Sequence, residues 1–227
     1  EVDWGDFLSV VRRYYTNREG QLVSMPFNSS TAILYYNKDL FEKAGLDPNN
    51  APGTYADMEK AGEKIVESGA AENAVTFGWP TWVFEQTHYW TNNNYVNNGN
   101  GRDARATKVL FNEEPGMKIM KEWAKWQDKD ILVYGGREYE PDSAFLSKKT
   151  AMLVQSTSHA KDIVESANFE VGTSFLPRPA WSERGGTTIG GASLYIFKDS
   201  QEKMEASWEF IKWLSNTENA VYWHKQT

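Results

Sequence analysis

The sequence predicts an α/β fold, and three observations carry this prediction. Short apolar runs that suit strands alternate with segments of helical periodicity along most of the chain. No repeat of fixed period is visible, which argues against a solenoid or a propeller. With 227 residues and 40% hydrophobic side chains, the chain can bury a core without disulfide bonds, as one large domain or two modest ones.

Strands and helices are predicted in alternation from residue 22 onward. Predicted strands, each a short apolar run, cover residues 22–27, 32–36, 74–78, 150–154, 170–175 and 193–197. Predicted helices cover residues 39–44, 54–69, 115–128, 143–146, 159–167, 201–214 and 217 onward. The run 32–36 is continuously apolar, which is typical of a strand buried on both faces. Pro26 confines the first strand to a sheet edge or a strand end, and the polar residues 28–31 suit a turn.

Cap residues mark the ends of the first two helices. Gly45 follows residues 39–44 in the position where a left-handed residue often ends a helix. Thr54 and Asp57, three positions apart, form a variant of the capping box that begins a helix. The apolar side chains of this second helix recur at helical spacing until Gly69 ends it.

The middle of the chain combines an aromatic segment, a polar loop and a helix. Residues 79–84 carry two tryptophans and a phenylalanine beside a proline. The loop 92–101 holds six asparagines and two glycines, and we expect it on the surface because it is too polar to bury. The helix 115–128 has apolar residues on one face: Met117, Met120 and Ala124.

Charge and composition exclude several classes of protein. The net charge is −7, from 24 basic and 31 acidic residues, which argues against a nucleic-acid partner. No apolar stretch approaches the roughly 18 residues of a membrane span. The absence of cysteine excludes thiol nucleophiles, iron–sulfur clusters and cysteine zinc sites, but it leaves the redox compartment open.

No motif for a metal or a cofactor is present. The glycine-rich nucleotide loops, the His-Glu-x-x-His pair and the EF-hand pattern are all absent from the sequence. The three histidines are too far apart along the chain for metal-ligand spacing, and we interpret them as structural: His88, His159 and His224. We therefore expect neither a metal nor a cofactor.

An acidic cluster suggests one enzymatic hypothesis. Glu138, Glu140 and Asp142 lie within five residues of each other, and glycoside hydrolysis needs two carboxylates that flank the bond. The neighbouring glycines and Pro141 favour a solvated loop instead. Both interpretations stay open, because spacing alone does not show that the carboxylates line a cleft.

Two features of the sequence suit a small polar ligand. Hydroxyl-rich turns at residues 28–31 and 155–158 each adjoin the end of an apolar strand, where ligands collect in open α/β sheets. Their side chains can donate and accept hydrogen bonds, although helix caps or turns explain them equally well. Trp79 and Trp82 could form an apolar wall for a carbon skeleton, with packing in the core as the alternative.

Motifs along most of the chain resemble one known family. The run 24–48 contains Met-Pro-Phe-Asn-Ser-Ser-Thr and Tyr-Tyr-Asn-Lys-Asp, with Lys-Ala-Gly-Leu downstream, and it resembles the extracellular solute-binding proteins of ABC importers. The second motif is similar to the carbohydrate-type members, which include the maltodextrin binders. The first is most similar to members that bind sn-glycerol 3-phosphate. Further matches in the same order are Gly78-Trp79-x-x-Trp82, Tyr134-x-Gly136-Arg137 and residues 189–194 and 223–227.

The resemblance implies a periplasmic-binding-protein-like fold with two lobes joined by a hinge. Residues 1–31 would be a partial first-lobe segment with one hinge crossing, and residues 32–188 a largely complete second lobe. Residues 189–227 would be the return crossing and another partial segment of the first lobe. Because family members extend further at both ends, we expect about half of a longer protein, which alone binds weakly or not at all.

Five ligand-binding residues follow from the same resemblance. Trp79 and Trp82 would pack on the carbon atoms of the ligand. Ser30 and Ser156 would hydrogen-bond its oxygens, and Gly191 would let the backbone approach closely.

The function implied is that of a non-enzymatic solute-binding component. It would capture sn-glycerol 3-phosphate, a glycerophosphodiester or a related sugar, and deliver it to the membrane subunits of an ABC permease. We expect a monomer at full length, either periplasmic or extracellular and lipid-anchored. The alternatives are a carbohydrate-active enzyme that uses Glu138 and Glu140, and a cell-surface carbohydrate adhesion module.

Overall fold

The chain divides into two compact units. The computed structural model describes residues 2–183 and 186–226. The larger unit spans residues 31–188, and the smaller unit combines residues 2–30 with residues 189–226. The chain passes between the units twice, after Ser30 and after Thr188.

Within the described residues there are seven strands and ten helices. The strands are β1 (Met25–Ser30), β2 (Ala32–Asn37), β3 (Asn73–Phe77), β4 (Leu132–Val133), β5 (Thr150–Ser156), β6 (Val171–Phe175) and β7 (Gly190–Leu194). The helices are α1 (Ser9–Tyr14), α2 (Lys38–Lys43), α3 (Tyr55–Glu67), α4 (Pro80–Trp90), α5 (Asn97–Gly101), α6 (Glu114–Asp128), α7 (Glu140–Leu146), α8 (Ala160–Ser166), α9 (Gln201–Leu214) and α10 (Thr217–Gln226). Single 3-10 turns cover Trp4–Asp6 and Thr157–His159. None of these helices has the length and apolarity that crossing a membrane needs.

The larger unit contains a five-stranded mixed sheet. Its strand order is β4-β3-β5-β2-β6, with β3 parallel to both of its neighbours and β2 antiparallel to both of its own. Strand β2 is buried on both faces, as predicted. Leu34 and Tyr36 belong to the main hydrophobic core, whereas Tyr35 packs on the other side with Phe145 and Leu153. The α/β class expected from the sequence is therefore confirmed.

The buried face of α6 differs from the expected one. Met117 and Met120 are nearly half exposed, at 46% and 48%. Ile119, Trp123 and Trp126 face the core instead. Two indoles bury more apolar surface than two thioethers, and this difference sets the rotation of the helix.

The smaller unit contains a two-stranded antiparallel ribbon. Strand β1 pairs with β7, and the register shifts between Pro26 and Asn28, so the proline lies at a bulge where its missing N–H is tolerated. Residues 28–30 continue the strand, so the turn predicted over residues 28–31 is wrong for them. Strand β7 also begins three residues before its predicted start.

The asparagine-rich loop is organised by its own side-chain amides. Asn97 Oδ1 accepts hydrogen bonds from the backbone N–H groups of Thr107 and Lys108, at 2.9 and 3.1 Å. Asn100 Oδ1 accepts two more from residues 95 and 96. Residues 98–100 all have left-handed φ values, which asparagine and glycine adopt more readily than other residues. Three of the five residues of α5 are therefore outside the right-handed helical region, and this element is a left-handed turn that polarity alone did not predict.

Candidate functional site

Two parallel strands bring the candidate residues of the larger unit to one edge of the sheet. Phe77 and Val154 are register partners near the carboxyl ends of β3 and β5. Trp79 follows β3 after one glycine, and Ser156 is the last residue of β5. Ligands of open α/β sheets bind at such an edge. Trp79, Trp82 and Ser156 thus lie on elements that leave the same edge.

Trp79 has a strained backbone and an exposed ring. Its φ of 55° and ψ of 65° are left-handed, which is unusual for an aromatic residue, and its side chain is 38% exposed. It immediately precedes α4, where Pro80 occupies the first helical position. Strained backbone of this kind concentrates at functional sites because the surrounding structure must hold it in place.

Trp82 lies one turn along α4 in a different environment. It is partly buried and packs against the main hydrophobic core of the larger unit. Sequence reasoning left residues 79–90 without a helix, because their aromatic and β-branched residues have no clear helical period. The structure therefore gives Trp79 and Trp82 unequal surroundings, with the first ring more exposed than the second.

A chain of hydrogen bonds runs beside these strand ends. Gln155 is fully buried, and its Nε2 donates to Asp142 Oδ1 at 2.9 Å. His159 Nδ1 donates to the other oxygen of the same carboxylate at 2.8 Å. The carboxylate of Asp142 is therefore shared between an amide and an imidazole, which fixes both groups.

Tyr139 completes this arrangement, and sequence reasoning did not identify it. Its ring stacks on His159 with centroids 4.9 Å apart, and it meets the Trp79 ring nearly at right angles with centroids 5.9 Å apart. The side chain is 59% exposed. Glu138, directly before it, has a left-handed φ of 55°. An aromatic residue inside an acidic, glycine-flanked segment was the signal in the sequence that could have drawn attention to it.

Ser156 is held from two sides. Its carbonyl accepts a hydrogen bond from the Tyr35 hydroxyl at 2.8 Å, and its N–H donates to Gln155 Oε1 at 2.9 Å. Its own hydroxyl caps the 3-10 turn that follows by accepting from the N–H of Ser158. Burial raises the pKa of Tyr35, so its hydroxyl keeps its proton and remains a donor. The Ser156 hydroxyl also forms a hydrogen bond of 2.8 Å with the Ser158 hydroxyl, so the cap alternative weighed for this serine is present.

Gly78 allows the close approach of β3 to this hydrogen-bonded chain. A Cβ atom at this position would overlap the side-chain amide of Gln155. The N–H of Gly78 donates to Val154 O at 2.8 Å, which continues the β3–β5 ladder by one residue. A larger residue here would displace Gln155 and, with it, the carboxylate of Asp142.

Ser30 and Gly191 belong to the smaller unit. Ser30 is the register partner of Gly190, and Gly191 is the partner of Ser29. Gly191 has a φ of 137°, and a Cβ there would overlap the backbone oxygen of Asn28. A side chain on residue 191 is therefore excluded by both conformation and space. The five predicted residues fall into two groups, three in the larger unit and two on this ribbon.

The solvated loop that was favoured for the acidic residues describes Glu138, but not Glu140, which is in a helix, or Asp142, which is mostly buried. Glu140 begins α7, and its carboxylate accepts from the N–H of Arg137 at 2.8 Å. Asp142 is mostly buried and bonded as described above, whereas Glu138 is exposed. In residues 2–183 and 186–226, no group of three His, Asp or Glu side chains is arranged to hold a metal ion.

The larger unit also contains a buried histidine away from this edge. His88 lies on α4 between the rings of Phe84 and Tyr95 and is 1% exposed. Burial lowers its pKa, because the charged imidazolium is poorly solvated there. This environment agrees with the structural role that the sequence suggested for it.

Comparison with known proteins places the chain among binding proteins. Residues 3–227 match the family model described as bacterial extracellular solute-binding protein. The sn-glycerol-3-phosphate-binding periplasmic protein UgpB of Pectobacterium atrosepticum is 34% identical over 227 residues, which cover 97% of this chain and 51% of that protein. The protein of the same name from Brucella abortus is 35% identical over 230 residues, covering 100% of this chain and 53% of the relative. The chain thus spans about half the length of these curated relatives.

Solved structures show the same fold. UgpB from Mycobacterium tuberculosis, in complex with glycerophosphocholine, has a TM-score of 0.82 and 22% identity, with 100% of this chain and 56% of that chain covered. The GacH receptor of Streptomyces glaucescens, solved unliganded and with acarbose, has a TM-score of 0.78 and 25% identity, with 96% and 54% covered. The periplasmic-binding-protein-like fold and the family resemblance expected from the sequence are confirmed. The chain belongs to the bacterial extracellular solute-binding protein family.

Proposed function

We propose that this chain is part of the solute-binding component of an ABC importer, which captures sn-glycerol 3-phosphate, a glycerophosphodiester or a related sugar. The observation that carries the proposal is the similarity, over nearly the whole chain, to relatives named for binding sn-glycerol 3-phosphate. Glycerophosphocholine, the ligand in one structural relative, is a diester of the same glycerol phosphate. The full-length protein delivers its ligand to the membrane subunits of the permease.

The five residues of the motif match supply the contacts in this proposal. Trp79 and Trp82 pack on the carbon skeleton of the ligand, where aromatic faces suit C–H surfaces. Ser30 and Ser156 hydrogen-bond its hydroxyl or phosphate oxygens, and Gly191 lets the backbone approach. The exposed ring of Trp79 and its strained backbone support this assignment. Tyr139 joins the set as a second ring beside Trp79.

The two-lobed organisation is part of the same proposal. Residues 32–188 form the second lobe, and residues 1–31 and 189–227 contribute to the first, with a hinge where the chain crosses. The structure supports this assignment, because the boundaries between its two compact units fall after Ser30 and after Thr188. Closure of two lobes around a solute is a common mode of hinge motion in binding proteins.

We further propose that the full-length protein is a monomer without enzymatic activity. Its compartment is the periplasm, or the outer face of a membrane to which a lipid anchors it. The periplasmic location in the names of the relatives supports the first of these.

Calorimetric titration of the full-length protein tests the function. The titrants are sn-glycerol 3-phosphate, glycerophosphocholine and maltose, and the heats are compared with those of the Trp79→Ala variant. We expect saturable binding of at least one titrant by the parent protein and weaker binding by the variant. Absence of binding to all three would overturn the proposal. Release of free sugar or choline, followed by mass spectrometry, would instead support the carbohydrate-active or hydrolytic alternative.

A further inference from the structure

Gln86 holds the last residue of the larger unit. This glutamine of α4 is 1% exposed. Its Oε1 accepts a hydrogen bond from the N–H of Thr188 at 2.9 Å, and its Nε2 donates to Thr188 Oγ1 at 2.5 Å. Thr188 lies 102 residues further along the chain and directly precedes the passage into the smaller unit. One threonine therefore satisfies both ends of a buried amide.

Thr157 holds the first residue of the larger unit in a similar way. Its Oγ1 accepts from the N–H of Thr31 at 3.2 Å, and its own N–H donates to Thr31 O at 2.9 Å. These bonds continue the ladder between β2 and β5 one residue beyond the Ala32–Ser156 pair. At each passage between the units, a side-chain oxygen accepts the backbone N–H of the terminal residue.

Both anchors lie on elements that carry proposed ligand contacts. Gln86 is on the helix that starts immediately after Trp79 and that also carries Trp82. Thr157 is the neighbour of Ser156. A helix moves as a rigid body, and Gln86 lies about 10 Å along the axis from Trp79 at 1.5 Å per residue. A displacement at the ligand-facing end of α4 is therefore transmitted to Thr188.

We propose that Gln86 and Thr157 are positioning residues, which couple ligand contact at Trp79, Trp82 and Ser156 to the two segments that join the units. The inference rests on the proposed function, since it concerns how binding reaches the hinge of that binding protein. Among the residues that the structure describes, the buried amide has Thr188 as the partner of both of its polar groups, and leaving either group unpaired in the interior is unfavourable. Thr188 must therefore follow α4 when the helix shifts.

Paired substitutions in the full-length protein test this coupling. Gln86→Leu removes both bonds to Thr188, including the acceptor of the Thr188 N–H. Thr157→Val removes the hydroxyl acceptor, whereas Thr157→Ser keeps it. Thr87→Val is the matched control, because Thr87 lies next to Gln86 on α4 and forms a buried bond of 2.9 Å with Tyr55 away from either passage.

Two measurements distinguish coupling from a loss of stability. Calorimetry gives the affinity for sn-glycerol 3-phosphate, and small-angle X-ray scattering gives the change in radius of gyration on adding it. We expect Gln86→Leu and Thr157→Val to weaken binding at least about fivefold, the lower end for allosteric coupling, and to diminish the change in radius. We expect Thr157→Ser and Thr87→Val to bind like the parent protein.

The coupling would be overturned if Gln86→Leu and Thr157→Val had the same affinity and the same change in radius of gyration as Thr87→Val. If Gln86→Leu does not fold, Thr188→Val removes one of the same bonds from the other side, and the same comparison applies. A parent protein that binds its ligand while both variants are unaffected disproves only this inference. If the parent binds none of the ligands named under the proposed function, both proposals fail.

Discussion

The ring of Tyr139 is stacked on the imidazole of His159, with the two planes 21° from parallel. His159 is fixed in turn by Asp142, whose other oxygen is bonded to the buried Gln155. The half-exposed ring of Tyr139 is thus supported by a chain of hydrogen-bonded polar groups. This chain ends at Gln155, which belongs to strand β5. This support keeps the Tyr139 ring at a defined angle to the Trp79 ring beside it.

Removing the Trp79 ring should reduce affinity more than stability. We expect Trp79→Ala and Trp82→Ala in the full-length protein each to weaken ligand binding at least about tenfold, or about 1.4 kcal/mol. Because Trp82 also packs against the core, its variant should in addition have a lower melting temperature. Calorimetry and thermal unfolding measure the two effects. Tyr89→Ala, which removes an exposed ring from the same helix, is the control. If both tryptophan variants bind the ligand with the same affinity as Tyr89→Ala, neither tryptophan belongs to the site.

Tyr139 should contribute to binding through its ring. Loss of an aromatic contact costs about 0.5–1.5 kcal/mol beyond area, so Tyr139→Ala should weaken binding about two- to twelvefold, while Tyr139→Phe binds like the parent. Titration calorimetry provides the affinities. Tyr134→Ala is the matched control, because Tyr134 is equally exposed and lies five residues earlier in the same loop. Equal affinities for Tyr139→Ala and Tyr134→Ala would contradict a ligand-contacting role.

Gly191 and Gly190 should respond differently to the same substitution. Gly191→Ala would force a Cβ onto the backbone oxygen of Asn28 at a left-handed φ, so we expect it to destabilise the full-length protein by about 2 kcal/mol. Gly190→Ala would bring its Cβ only into ordinary contact with Ser30, and its effect should be well below that of Gly191→Ala. Urea unfolding of both variants tests this. Equal midpoints would show that the ribbon accommodates a side chain at residue 191.

The buried His88 should make stability depend on pH. Burial lowers its pKa in the folded state, so the unfolded chain binds the extra proton as pH falls below about 6.5. The contribution of the buried, neutral His88 to the free energy of unfolding is fully present above that pH, and it is lost as pH falls through the pKa of the folded state. In His88→Phe, we expect a smaller difference between the free energies of unfolding at pH 7.5 and pH 5.5. A difference as large as that of the parent would assign the dependence to other groups.

The sequence was most informative where one signal had one physical meaning. The continuous apolar run at residues 32–36 indicated a strand covered on both faces, and Thr54 with Asp57 marked a helix start that the structure has. The N–H of Asp57 indeed donates to Thr54 Oγ1 at 3.2 Å. Local chemistry of this kind does not depend on what packs against it, and it could therefore be predicted.

Predictions failed where distant residues decide the outcome. The buried face of α6 depends on how its indoles meet α3 and the sheet, and the extent of β1 depends on a partner more than 160 residues away. For the candidate site, the aromatic pair 79 and 82 was visible as a pattern. Tyr139 lies in an acidic, glycine-flanked segment that could have drawn attention to it, but its place beside Trp79 could not be predicted. Its orientation comes from His159 and Asp142, which no sequence spacing connects to Trp79.

The position of β2 between β5 and β6 has a consequence for folding kinetics. Tyr35 and Ser156, joined at this seam, are 121 residues apart, so a very long loop must close before the sheet is complete. Pairings of such separation form slowly, and within the five-stranded sheet β2 and its neighbour β6 should be the last strands to gain protection in pulsed hydrogen exchange. Early protection of β2 amides would contradict this order. For a polypeptide that crosses a membrane before it folds, late completion of the sheet would prolong the interval in which the unfolded chain can be translocated.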